Sequence, residues 1–221
     1  MTAIVFDTET TGLVDPECIE LAWASLEAPS WRLGAVVQER FLPTKPIEYG
    51  ALATHHILPG ELVDCRPSAQ ACLPAGLTYL IGHNVDFDWK VMGKPPIRRI
   101  CTLAMSRALF PEVDSHKLAS MMYYLFGAVE DTRDALTNSH QAAQDVLLCA
   151  KLFHQIAVMR GFTSLEAVWK FSEEARIPFT MPFGKHKGKP IAEVDKGWRK
   201  WYAAQADTDP YILMAFARYP A

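Results

Sequence analysis

The chain has 221 residues, half of them hydrophobic, which is room for one α/β domain of the usual ~100 to 150 residues and a smaller unit beside it. No run of ~18 apolar residues exists to span a membrane and no basic region precedes the first apolar stretch, so a membrane partner is excluded and a cytoplasmic location is expected. The net charge of −3 hides an asymmetry, because residues 1–175 carry 14 Lys and Arg against 21 Asp and Glu whereas residues 176–221 carry 8 against 4; the basic tail is the part suited to an anionic polymer.

Ala3-Ile4-Val5-Phe6 opens the chain as a buried strand, and it runs directly into Asp7-Thr8-Glu9. Strand side chains alternate, so Asp7 and Glu9 project from one face. Two carboxylates on one face raise each other's pKa unless a cation lies between them, and hard divalent ions with oxygen ligands, Mg²⁺ or Mn²⁺, suit that role. Acids in a solvated turn at a strand end are the plainer alternative. Ile19 to Ala24 and Leu33 to Leu42 read as two further strands, punctuated by Pro29 and by Pro43 to Pro46, so an antiparallel meander is expected. Residues 47–73 read as broken helix around Pro59-Gly60 and Pro67, with His55-His56 beside the break.

Leu77 to Asp88 reads as a strand running into a turn and then a helix. Asn84 suits an N-cap, and the helix dipole accounts for acids in the first turn. Asp86 and Asp88 point about 160° apart on a helix, so only one can face a site; Asp88 is the choice, beside Phe87, and Asp86 is expected to be solvated. Arg98 to Leu103 reads as a strand and then a helix to Leu109, and Leu118 to Phe126 as a core-filling helix. Gly127 to Leu136 reads as a polar loop. A long helix is expected from Asn138 to Met159. His140 and Asp145 would lie about 140° apart on it, so they share a site only if His140 sits at or before the cap.

After a helix from Ser164 to Ala175, residues 178–191 read as a hairpin, with Gly184 and Gly188 bracketing a cationic turn. Trp198 and Trp201 follow at helical spacing and are taken mainly as core, while Lys185, Lys187 and Lys189 are the candidate nucleic-acid contacts. Five cysteines without a C-x-x-C pair point to reduced thiols and no zinc site.

In this order, Asp7-Thr8-Glu9-Thr10-Thr11-Gly12-Leu13, His83-Asn84-Val85-Asp86-Phe87-Asp88 and His140-Gln141-Ala142-Ala143-Gln144-Asp145 resemble the three motifs of the DEDDh exonuclease superfamily: D-x-E-T-T-G-L, H-N-x-x-F-D and H-x-A-x-x-D. The resemblance covers about residues 1–160. Combined with Phe183-Gly184-Lys185-His186-Lys187-Gly188-Lys189, it extends to a bacterial branch that acts on DNA.

It implies a ribonuclease H-like mixed sheet flanked by helices over 1–162, a connecting helix over 163–176 and a small α+β module over 177–221. It also implies a 3'-5' exodeoxyribonuclease that releases 5'-mononucleotides in DNA repair. Two Mg²⁺, replaceable by Mn²⁺, would be held by Asp7, Glu9, Asp88 and Asp145, with His140 as general base. Thr10, Thr11, Gly12, Leu13, His55, Asn84 and Phe87 would hold the substrate. His56 stands where the family has a glycine after His55. The implied partners are DNA 3' ends, single-stranded and in duplexes, and a second copy of the chain. The acids do not by themselves separate DNA from RNA, which leaves an exoribonuclease as the alternative within the class. A non-catalytic nucleic-acid-binding module is the alternative outside it.

Overall fold

The computed structural model describes residues 2–137, 141–206 and 208–220. The chain divides into two compact units, Met1–Ser172 and Glu173–Ala221.

The first unit contains β1 (Thr2–Thr10), β2 (Cys18–Glu27), β3 (Arg32–Leu33), β4 (Val37–Leu42), α1 (Tyr49–His55) and β5 (Arg66–Pro67). These are followed by β6 (Leu77–Gly82), α2 (Asp86–Val91), β7 (Arg98–Cys101), α3 (Thr102–Leu109), α4 (Leu118–Phe126), α5 (Glu130–Ala135) and α6 (Ala142–Met159). The seven strands form one mixed sheet in the order β5-β4-β2-β1-β6-β7, with β3 paired to β2. The opening meander is antiparallel, and β6 and β7 join it in parallel. That is the expected mixed architecture. β1 sits at its centre because Ala3 to Phe6 is apolar on both faces, the pattern of a strand covered above and below.

Val5, Ala22, Ala24, Tyr79 and Ile81 from the sheet share one core with Val146, Cys149, Leu152, Phe153 and Ile156 of α6. On a helix these five lie on one stripe, so α6 is locked against the strands that carry the acids. α7 (Leu165–Ala175) adds Leu165 and Val168 to that core, and the division between units falls near its last turn. Among the described residues, no helix is long and apolar enough to cross a membrane.

Several local readings differ from the structure. Residues 33–42 break into β3 and β4. Gly127 to Leu136 is not loop throughout but forms α5, whose Arg133 bonds Glu130 one turn back. Asn84 caps nothing; it takes a left-handed φ of 70° and Val85 holds the N-cap position of α2. Asp86 is not free in solvent but pairs with Arg99, whose guanidinium lies 4.0 Å over the Trp89 ring.

The second unit contains α8 (Lys196–Ala203) and α9 (Pro210–Arg218). Asp195 accepts from Trp198 N–H at 2.8 Å and Asp209 from Tyr211 N–H at 2.9 Å. Each carboxylate thereby caps its helix. Met181, Ile191, Val194, Tyr202, Ile212 and Ala215 form its core. The expected hairpin is short: an antiparallel bridge joins Thr180 and Pro190, with Met181 N–H donating to the Lys189 carbonyl, Gly188 N–H to Met181 and Ile191 N–H to Phe179. Pro182 and Pro190 lack a donor, and Gly184 and Gly188 take positive φ, so the pairing stays this short and helices make up most of the unit. Arg199 is not a surface cation. It is buried, and it donates to the carbonyls of Val194, Ile191, Phe216 and Tyr219.

Candidate active site

Past Phe6 the central strand exchanges apolar side chains for acids. Asp7 and Glu9 keep the period of two, and α6 brings Asp145 to them in its first turn, where the helix dipole favours an anion. One carboxylate oxygen from each of Asp7, Glu9 and Asp145 lies within 4.8 Å of the other two. Neither Asp7 nor Glu9 forms an ion pair among the described residues. Burial, then the charges of Asp88, Asp145 and Glu9, push Asp7 well above the ordinary carboxylate range. Burial and then Asp145 push Glu9 up to about 9. A cluster of hard oxygen donors this costly to ionise together fits a divalent cation.

Asp88 lies outside that compact trio and is fixed differently. Thr8, which sits between the two acids of β1, donates to Asp88 Oδ1 from its backbone N–H at 3.1 Å and from its hydroxyl at 2.6 Å. Burial raises Asp88 to about 7 against the lowering effect of those bonds. Its carboxylate is thus locked to the strand and couples electrostatically to Asp7.

Glu20 was not among the residues expected at the site, yet it organises it. It is fully buried in the middle of β2, facing Glu9 across the β1/β2 ladder and Arg40 across the β2/β4 ladder. Arg40 Nε donates to Glu20 Oε1 at 2.8 Å, and Ala142 N–H donates to Oε2 at 3.0 Å. The carboxylate therefore ties the first residue of α6, three before Asp145, to the sheet that carries Glu9. An acid amid Ile19, Leu21 and Ala22 was the sequence signal: a charge in a buried strand needs a partner. Glu20→Ala should cost ~2–4 kcal/mol, since it orphans a buried N–H and half of an ion pair. Chemical denaturation measures this, and an unchanged midpoint would remove Glu20 from the scaffold.

The remaining expected residues are distributed around the same end of β1. Thr10 and Thr11 are buried, and Thr10 Oγ1 donates to the Gly12 carbonyl at 2.8 Å. A Cβ on Gly12 would meet the Glu48 carboxyl carbon at 2.3 Å, so glycine leaves space for that side chain. Leu13 is an apolar side chain left 80 % exposed. His55 ends α1 buried, its Nδ1 accepting from Ile57 N–H at 2.9 Å and its Nε2 without a well-formed bond among the described residues. His56 caps α1 at φ 58°, which explains a glycine preference there, because a left-handed residue with a Cβ is strained. Asn84 is exposed and Phe87 half-buried.

His83 is structural. Its Nε2–H donates to the His116 carbonyl at 2.9 Å, its Nδ1 lies 3.0 Å from Thr102 Oγ1, and burial lowers its pKa to about 4. The ring therefore stays neutral, and its contribution to stability is complete above the ordinary imidazole pKa of ~6.5 and lost as pH falls toward 4. His140 lies outside the described residues. Lys185, Lys187 and Lys189 are exposed in the second unit.

This fold and acidic cluster belong to a nuclease: the family model described as exonuclease, RNase_T, matches residues 4–153, and the chain is a member of that family. Its members hydrolyse phosphodiester bonds and use divalent metal ions. The chain is 26 % identical to Exodeoxyribonuclease 10 of Escherichia coli strain K12, over 97 % of each protein. Among solved structures it resembles Exonuclease X in complex with 5' overhanging duplex DNA (24 % identity, TM-score 0.62, 77 % of this chain and 99 % of that one). It also resembles E. coli Exonuclease I bound to a dT13 oligonucleotide (17 %, TM-score 0.57, 72 % and 42 %). A third match is the nuclease domain of 3'hExo, a DEDDh family member bound to rAMP (13 %, TM-score 0.53, 73 % and 93 %). The shared fold is that of the ribonuclease H-like exonucleases.

Proposed function

We propose that the protein is a 3'-5' exodeoxyribonuclease that removes 5'-mononucleotides from DNA 3' ends using two Mg²⁺. The observation that carries this reading is the mutual 4.8 Å spacing of the Asp7, Glu9 and Asp145 carboxylates on a central strand and a helix start. The likeness to Exodeoxyribonuclease 10 along nearly the whole chain supports DNA as substrate.

Asp7, Glu9 and Asp145, with Asp88 behind them, would hold the ions. When bound, Mg²⁺ acidifies water and neutralises charge that develops on the phosphate, and Mn²⁺ can replace it. His140 takes the proton of the attacking water, the role its residue type suits at neutral pH. The backbone from Thr10 to Gly12 seats the terminal nucleotide, Leu13 packs against its base, and His55, Asn84 and Phe87 hold the strand behind it. The five cysteines are all free, which fits work in the reducing cytoplasm, in DNA repair. The homodimer implied by the resemblance belongs to the same reading.

A time course on 3'-labelled and 5'-labelled DNA and RNA, with and without Mg²⁺, tests this. Label should leave the 3' end as a mononucleotide at once, while the 5' label shortens stepwise, for DNA and only with the metal. Faster loss from RNA would reassign the substrate, and products cut internally would overturn the exonuclease reading.

A further inference from the structure

The second unit contains an aromatic pocket of about 510 Å³ that the chemistry of the acids does not use. Phe183, Lys185, Trp198, Trp201 and Tyr202 line it, with Asp209, whose carboxylate is engaged by Tyr211 N–H as the cap of α9. Its wall is built without help from any ligand. Trp198 and Tyr202 stack nearly parallel, with centroids 5.3 Å apart and planes 9° apart. The Tyr202 hydroxyl accepts from Asp209 N–H at 2.9 Å. His186 braces Trp198 edge-on at 5.2 Å, and Gly184 takes the left-handed φ of 68° that the turn beside it requires. Beneath them the buried Arg199 staples four carbonyls.

Two aromatics of the pocket are left over by this core. Trp201, expected as core from its spacing, is instead 56 % exposed, and Phe183 is 41 % exposed. Each packs one side on a core ring, Phe183 on Tyr202 at 5.8 Å and Trp201 on Trp198 at 5.7 Å, and leaves the rest of its surface in water beside a cation. They are what a flat aromatic ligand with a negative tail requires. The charge of the region agrees: residues 176–221 hold 8 cations against 4 anions, and Lys185, Lys187 and Lys189 form no ion pair among the described residues.

We infer that this pocket binds one unpaired nucleotide of a single-stranded DNA segment, its base against Trp201 and Phe183 and its phosphate on Lys185. A base inside a duplex keeps its faces stacked on its neighbours, so the pocket selects unpaired strand. Stacking is indifferent to base identity, which suits an enzyme that must accept any sequence. The inference rests on DNA being the substrate, and it adds a hold on the strand separate from the acidic site.

The test uses the full chain in EDTA, so that hydrolysis plays no part, and follows the fluorescence anisotropy of a labelled dT oligonucleotide across a salt series. Trp201→Ala should weaken binding about tenfold with an unchanged salt slope, and Trp201→Phe should restore most of it. Lys185→Gln should lower the slope by about 0.7, the loss of one phosphate contact to a single strand. An oligomer of abasic nucleotides should bind more weakly and be insensitive to Trp201→Ala. Free dTMP at the same nucleotide concentration should fail to compete, which separates a strand site from a mononucleotide site. Equal affinity of Trp201→Ala and wild type for the dT oligonucleotide overturns the pocket, as does Trp201 dependence that survives on the abasic strand. Hydrolysis measured separately in Mg²⁺ keeps the two readings apart: oligonucleotide binding that does not depend on Trp201, with intact nucleotide release by the wild type, sinks the pocket alone, and Trp201-dependent binding without nucleotide release sinks the exonuclease alone.

Discussion

Asp7→Asn should reduce nucleotide release by ~10³-fold or more and, in the same protein, raise the thermal midpoint of the metal-free form at pH 8. Both effects have one cause. Asp7 is surrounded by Asp88, Asp145 and Glu9, and burial adds to their repulsion. Without a metal, the folded chain relieves this by keeping protons that the unfolded chain releases. Glu9, held at about 9, is the clearest case. Its contribution to stability is complete below the ordinary carboxylate value of ~4.3 and is lost as pH rises toward 9. The metal-free wild type should therefore lose several degrees of midpoint between pH 6 and 9, at roughly 2–4 °C per kcal/mol for a chain of this size. Asparagine removes a buried group whose ionisation the folded cluster opposes, and flattens that decline. Adding Mg²⁺ should stabilise the wild type and leave Asp7→Asn almost unmoved. A variant that is inactive but no more stable without metal would show that the acids do not strain one another.

His140→Ala should lower kcat by ~10²-fold or more with the substrate KM and the divalent-ion affinity little changed. The acids bind the ion, whereas the imidazole only accepts a proton, so the two functions separate by mutation. The pH–rate profile carries the signature: the limb that rises as the imidazole loses its proton should flatten in the variant. Turnover near wild type would remove His140 from the reaction, and a parallel loss of metal affinity would make it a ligand instead of a base.

What could be read from the sequence, and what could not, divides along the range of the interactions. The period of two in β1 was enough to place Asp7 and Glu9 on one face, because it is a local property of any strand. Asp145 could be assigned to the first turn of a helix, though which acids it meets is set by α6 packing on the sheet. Glu20 escaped notice because its partners, Arg40 and Ala142, are 20 and 122 residues away. Asn84 has a good capping side chain but sits in a left-handed turn, where the tight exit from β6 outweighs capping preference. Asp86 was set aside as solvent-facing because Arg99 arrives from another strand. Trp201 has the spacing of a core residue, yet Trp198 and Tyr202 already fill the small core of the second unit. In residues 178–191 the prolines and the positive φ of Gly184 and Gly188 hold the pairing of the two arms short.

Titration with Mn²⁺, followed by calorimetry in two buffers of different ionisation heat at pH 7, tests most directly whether the acids of β1 and α6 are a metal site. The wild type should bind the ion and expel protons, since Glu9 titrates at about 9 and must give up its proton to coordinate. Its apparent heat should then differ between the buffers, and binding should fall at least tenfold in Asp7→Asn. Equal Mn²⁺ affinity in the two proteins, with the same heat in both buffers, would mean that these carboxylates hold no metal and would contradict the account.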